Sequence, residues 1–131
     1  MYAASKKLQI SHKGCNMKVK AYIKSIRNEL DRLEMYLNTK VELEKFYIQS
    51  ESPERIFAIS HITCGSRTVG CVKAILTPKR AHVFGEYYFA RGAFWNMSFK
   101  IHPKWAALAL DCALDTKNLF CAAYERNMMQ E

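Results

Sequence analysis

AHVFGEYYFARGAFWNMSFKI, residues 81–101, decides how the rest of the chain is read. Two aromatic-rich runs with period-two alternation flank Ala90, Arg91 and Gly92, the signature of a β-hairpin. Loop length sets the register. A two-residue loop pairs Tyr88 with Trp95 and puts His82 and Glu86 on the face of Trp95, Met97, Phe99 and Ile101. That would bury a histidine and a carboxylate among large apolar groups, at a cost. A three-residue loop, with Gly92 in the left-handed conformation, shifts the register by one. Val83, Gly85, Tyr87 and Phe89 then line up with Trp95, Met97, Phe99 and Ile101. The opposite face collects His82, Phe84, Glu86, Tyr88, Phe94, Asn96, Ser98 and Lys100. This register separates apolar from polar residues better and is adopted.

Outward from the hairpin, short turn-rich connections predict an antiparallel meander of about five strands. Val41–Gln49 reads as the first strand, with alternation that degrades around Phe46 and Tyr47. Ser50-Glu51-Ser52-Pro53-Glu54 is a turn by composition. Arg55–Cys64 and Thr68–Leu76 follow, joined at Gly65-Ser66-Arg67. A four-residue loop at Thr77–Arg80 pairs Leu76 with Ala81, which sets Lys73 beside Phe84 and Cys71 beside Glu86. The register of the Arg55–Cys64 strand stays open, so His61 falls on either face.

Helices bracket the sheet. From Met17 to Leu37, Tyr22, Ile23, Ile26, Leu30, Leu33 and Leu37 recur at threes and fours behind an N-cap at Asn16. Arg27 and Asp31 are spaced as an i,i+4 pair. The stripe is long enough for a short heptad seam, but packing on the chain's own sheet is its expected use. His102-Pro103 starts a long C-terminal helix, because proline suits the first helical position. Asp115-Thr116-Lys117-Asn118 marks a point where it can break. The expectation is α+β: an N-terminal helix, the meander, then the long C-terminal helix, with both helices on one sheet face. Residues 1–15 read as a flexible basic arm and 16–128 as a single domain.

Composition narrows the function. The chain has 131 residues, a formal charge of +8 and five cysteines, an odd count with no disulfide-scaffold spacing. No apolar run suits a membrane span and no secretory signal is evident, so an intracellular, cytoplasmic protein is expected. Residues 1–28 hold Lys6, Lys7, Lys13, Lys18, Lys20, Lys24 and Arg27 without an acid. Residues 55–110 hold eight cations against Glu86 alone. Such a balance favours a polyanion. The lysines in the first half of the N-terminal helix also oppose its dipole.

Motifs for chemistry are sparse. His61, Cys64 and Cys71 form H-x2-C-x6-C, with His82 or Cys112 available as a fourth ligand, but paired short spacings of the zinc type are missing. No metal and no cofactor is therefore expected. No nucleophile elbow, P-loop or dinucleotide fingerprint occurs. Arg91-Gly92-Ala93-Phe94 begins like an RNA-recognition submotif, but Ala93 and Phe94 break it and the element order is wrong.

Three functions follow. The first is non-catalytic binding of RNA or single-stranded nucleic acid. Phosphates would meet Lys6, Lys7, Lys13, Lys18, Lys20, Lys24, Arg67, Lys73, Lys79, Arg80, Arg91 and Lys100, and bases would stack on Phe84, Tyr88 and Phe94. The second uses the same face as a homodimer interface or a contact for an acidic protein, as in an accessory factor of a viral or mobile element. The third is a small metal-independent ribonuclease using His82, Glu86, His61 and Lys73.

Overall fold

The computed structural model describes residues 13–38, 40–88 and 93–129. Helix α1 spans Lys13–Leu37, strands β1 and β2 span Glu42–Leu43 and Tyr47–Glu51, and β3 spans Ile56–Cys64. Strands β4 (Arg67–Leu76), β5 (Arg80–Tyr87) and β6 (Ala93–Lys100) follow, then helices α2 (Pro103–Leu114) and α3 (Leu119–Asn127). The strands form one antiparallel sheet in the order β1-β3-β4-β5-β6, with β2 also on β3. The fold is α+β.

Helix α1 starts at Lys13, ahead of the expected cap at Asn16, so residues 13–15 of the segment read as an arm are helical, and the rest of that segment lies outside the described residues. Its stripe serves the chain's own core. Val19, Ile26 and Leu33 are buried, and Tyr22, Ile23 and Leu30 pack against them. Asn38 ends the helix in the left-handed region at φ 54°, a conformation asparagine tolerates. Arg27 does not pair with Asp31. Its guanidinium donates to the Cys112 carbonyl at 2.6 Å and ties α1 to α2.

The first expected strand is two short ones, because Phe46 turns inward and is buried between them. Partners from β3 satisfy the break: Glu44 N donates to the His61 carbonyl at 2.8 Å, and the Ser60 hydroxyl donates to the Glu44 carbonyl. Ser60 is fully buried, so this bond supplies the partner a buried hydroxyl needs. The turn into β3 closes on Ser52, whose Oγ accepts from Glu54 N and Arg55 N, both at 3.2 Å.

In the central hairpin the faces fall as expected, but the pairing does not. Ala81 lies opposite Phe99, Val83 opposite Met97 and Gly85 opposite Trp95, where a three-residue loop would set Tyr87 opposite Trp95. The strands have slid by two residues, which a period of two permits without changing faces. A bulge then shifts the pairing by one residue more: Glu86 pairs with Ala93, leaving Phe94 unpaired in the ladder. The loop residues 89–92 lie outside the described residues. Leu76 opposite Ala81, Lys73 opposite Phe84 and Cys71 opposite Glu86 are as the four-residue loop required.

Core side chains come from every layer. Ile56, Ala58, Ile62, Val72, Ala74, Leu76, Ala81, Val83 and Phe99 of the sheet share one buried cluster with Ile26, Leu108, Leu110 and Phe120 of the helices. Tyr22 stacks on Phe99 with centroids 4.1 Å apart, and Tyr36 stacks on Tyr87 at 5.8 Å. Each fully buried Ile, Leu or Phe contributes about 1.5–3 kcal/mol.

The long C-terminal helix is replaced by two. Asp115, Lys117 and Asn118 all have positive φ, and Asp115 caps α2 in the left-handed region. The buried Asp111 carboxylate holds the corner by accepting from Phe120 N at 2.9 Å, Cys121 N at 2.8 Å and the Thr116 hydroxyl. It occupies the N-terminus of α3, where a negative charge is favoured. At the other end of α2, His102 Nδ1 accepts from Lys104 N at 3.1 Å, ahead of Pro103.

Candidate nucleic-acid interface

Residues that alternate with the core positions make up the opposite face. The ladder arranges them in rows. Phe57, Ile75, His82 and Ser98 stand side by side across β3 to β6. The next row is Tyr47, Ile59, Lys73, Phe84 and Asn96, starting from β2. Beyond it come His61, Cys71 and Glu86. This assigns His61 to the face whose register the sequence left open.

One end of the face is cationic. Arg80 lies directly opposite Lys100, with Lys79 adjacent and exposed. Like charges facing each other across a ladder destabilise it. Among the described residues no carboxylate forms an ion pair with either. Arg80 Nη1 donates to Ser98 Oγ at 3.4 Å, and His82 Nε2 lies 3.5 Å from the same hydroxyl. Arg55, just ahead of β3, stands 5.7 Å over the Phe57 ring on this side. Because Tyr22 stacks on Phe99, the N-terminal half of α1, with exposed Lys18, Lys20 and Lys24, lies at the Lys100 end of β6.

The middle of the face is aromatic. Lys73 Nζ sits 5.7 Å over the Phe84 ring and 3.1 Å from Glu86 Oε1. The Cys71 thiol donates to the same oxygen at 3.8 Å. Burial pushes the Cys71 thiol up, so the thiolate needed for attack is disfavoured. Tyr47 and Tyr88 are 47% and 56% exposed, so their rings present large π-surfaces to solvent.

The predicted binding residues do not all converge. Arg67 begins β4, nine residues before Leu76, so it stands roughly 30 Å from the Arg80–Lys100 end. Lys6, Lys7 and Arg91 lie outside the described residues, and of Lys13 and Phe94 the backbone alone is described. Arg55, Phe57 and Tyr47 were missed. The break at Glu44–Phe46 hides the parity that would have assigned Tyr47, and Arg55 reads as a turn residue until β3 is registered.

The ribonuclease set is dispersed. Two inter-strand spacings and four ladder positions separate His61 from His82, roughly 10 Å across and 13 Å along. Two groups acting on one phosphate need hydrogen-bond reach to it together. Within the set, Lys73 and Glu86 form an ion pair. The H-x2-C-x6-C set is split as well: His61 and Cys71 pair across β3 and β4, while Cys64 packs against the core cluster. Among the described residues no group of three His, Cys, Asp or Glu side chains is gathered to hold a metal.

A separate cleft of about 880 Å³ lies between α1, residues 41–46 and the α2–α3 corner, and none of the predicted binding residues lines it. No described helix is long and apolar enough to cross a membrane. No family model, curated protein or solved structure matches the chain.

Proposed function

We propose that the protein binds single-stranded nucleic acid, RNA in the first place, on the face carrying Arg80, Lys100, Lys73, Phe84 and Tyr88. In this reading the three helices stand behind the sheet and leave that face open, and the protein performs no catalysis of its own. The observation that carries it is the unneutralised Arg80–Lys100 pair. Two cations held opposite each other cost the fold stability, and a bridging phosphate removes that cost. Lys79, Arg55 and the α1 lysines enlarge the positive field, and Phe84, Tyr88 and Tyr47 supply stacking surfaces worth about 1–3 kcal/mol per base.

Amide shift mapping with a ten-nucleotide single-stranded RNA tests the reading. Shifts centred on Arg80, His82, Phe84, Ser98 and Lys100 support it. Shifts confined to α3 and the α2–α3 corner overturn it.

A second reading is favoured by Phe57 and Ile75, an apolar pair opposite each other on the same face and only half-buried. Such a pair suits a homodimer interface, with the two copies meeting sheet to sheet. Sedimentation separates the readings. A concentration-dependent dimer that Phe57→Ser converts to monomer favours the interface, and a monomer at all concentrations favours the nucleic-acid face.

A further inference from the structure

Resting on the nucleic-acid reading, we infer that the Lys73–Glu86 pair reads a base edge and selects guanine. Glu86 stands on this face beside Cys71, where a negative charge opposes a phosphate ligand. Its partner Lys73 is held by a salt bridge of 3.1 Å and by the Phe84 ring. Both side chains keep solvent access, at 26% for Lys73 and 39% for Glu86. They therefore present a donor and an acceptor side by side at the surface, beside the Phe84 ring.

The occupancy of each atom narrows the choice. Glu86 Oε1 accepts from Lys73 and from the Cys71 thiol, which fixes the carboxylate plane. Oε2 has no described donor within the protein. An ammonium has three N–H groups and one is used here, so two remain for a ligand. A base that fits must offer an acceptor to Lys73 beside donors to the carboxylate. Guanine does so with O6 next to N1–H and the N2 amino group. Adenine, cytosine and uracil each place a single donor position on that edge, which leaves less for the carboxylate to accept. A ring stacked over Phe84 brings its edge toward Glu86, two residues further along the same face of β5.

The test uses fluorescein-labelled ten-nucleotide RNAs, oligouridine and the same strand with one central guanosine, adenosine, cytidine or inosine, followed by anisotropy. The guanosine strand is expected to bind about tenfold tighter than oligouridine, the scale of one well-made base contact. Inosine, which lacks the N2 amino group, is expected to lose most of that gain. Glu86→Gln, an isosteric change at a half-exposed site, is expected to bind all strands alike, and more tightly than wild type binds oligouridine at low salt, because a negative charge leaves the face and Lys73 is freed for phosphate. Wild-type affinities within twofold across all strands overturn the inference and leave the binding reading intact, as does a guanosine preference that survives Glu86→Gln. Failure of every strand to bind at low salt overturns the binding reading and this inference together.

Discussion

Replacing Lys100 with glutamine is expected to raise stability and weaken RNA binding in one step. Lys100 faces Arg80 across the β5–β6 ladder and is exposed, with no carboxylate partner among the described residues. It also stands two residues before the N-cap His102 of α2, where positive charge opposes the helix dipole. Removing one member of an opposed like-charge pair is worth about 0.2–1 kcal/mol at low salt. For a domain of this size that is a rise in Tm of about 1–4 °C. The gain should vanish near 1 M salt, where screening acts within about 3 Å. Binding moves the other way. If Lys100 neutralises one phosphate of a single strand, its loss makes the slope of log K against log salt shallower by about 0.7. Between 1 M and 0.1 M salt that contact amounts to about fivefold in affinity. Thermal melts by circular dichroism and anisotropy titrations at several salt concentrations read both quantities. A lower Tm with unchanged affinity and slope would refute the reasoning, because Lys100 would then be holding the fold and contacting no phosphate.

Four further outcomes follow from the packing. Asp111→Ala strands Phe120 N, Cys121 N and the Thr116 hydroxyl, and should cost about 3–5 kcal/mol in urea unfolding. Gly70→Ala puts a Cβ 2.1 Å from the Glu86 backbone oxygen, so β4 and β5 must part, and a loss of about 3 kcal/mol or more is expected in the same assay. The Arg126 guanidinium, with Asn127, holds the Glu51 carboxyl below the usual carboxylate range. That stability is present above the unfolded-state pKa and is lost as pH falls through the lower folded value. Both groups are partly exposed, so the loss is at most about 1 kcal/mol, and Glu51→Gln should flatten this part of the acid-stability curve. Burial raises the thiols of Cys71, Cys112 and Cys121, so native-state iodoacetamide labelling at neutral pH should modify the half-exposed Cys64 ahead of Cys71 and Cys121.

The hairpin was legible because period-two patterning fixes which side chains share a face. Burying His82 and Glu86 would have cost far more than any pairing detail could return. Absolute register was not legible, since sliding by two residues conserves that pattern, and nothing in the alternation marks the bulge at Glu86. Leu76–Ala81 was readable because the Thr77 to Arg80 loop is short and hydrogen-bonded at both ends, with Thr77 N donating to the Arg80 carbonyl at 2.9 Å. The split of the first strand was not readable. It depends on Phe46 turning into the core and on Ser60 and His61 completing the Glu44 backbone from sixteen residues or more away. The two-helix C-terminus was half legible. Asp115 to Asn118 reads as a weak helix, but the carboxylate of Asp111 settles the corner, and a lone aspartate in a helix carries no such signal. In the candidate interface, Phe84 and Lys100 followed from the hairpin and Lys73 from the Thr77–Arg80 loop, while Arg55 and Tyr47 required the β2–β3 and β3–β4 registers.

The most direct test of the central claim is a fluorescence anisotropy titration of a labelled single-stranded RNA, repeated from 0.05 to 0.2 M salt. The account predicts binding in the micromolar range or tighter, with log K falling linearly against log salt at a slope of about −0.7 for each phosphate engaged. No binding at the lowest salt, or an affinity indifferent to salt, would contradict it.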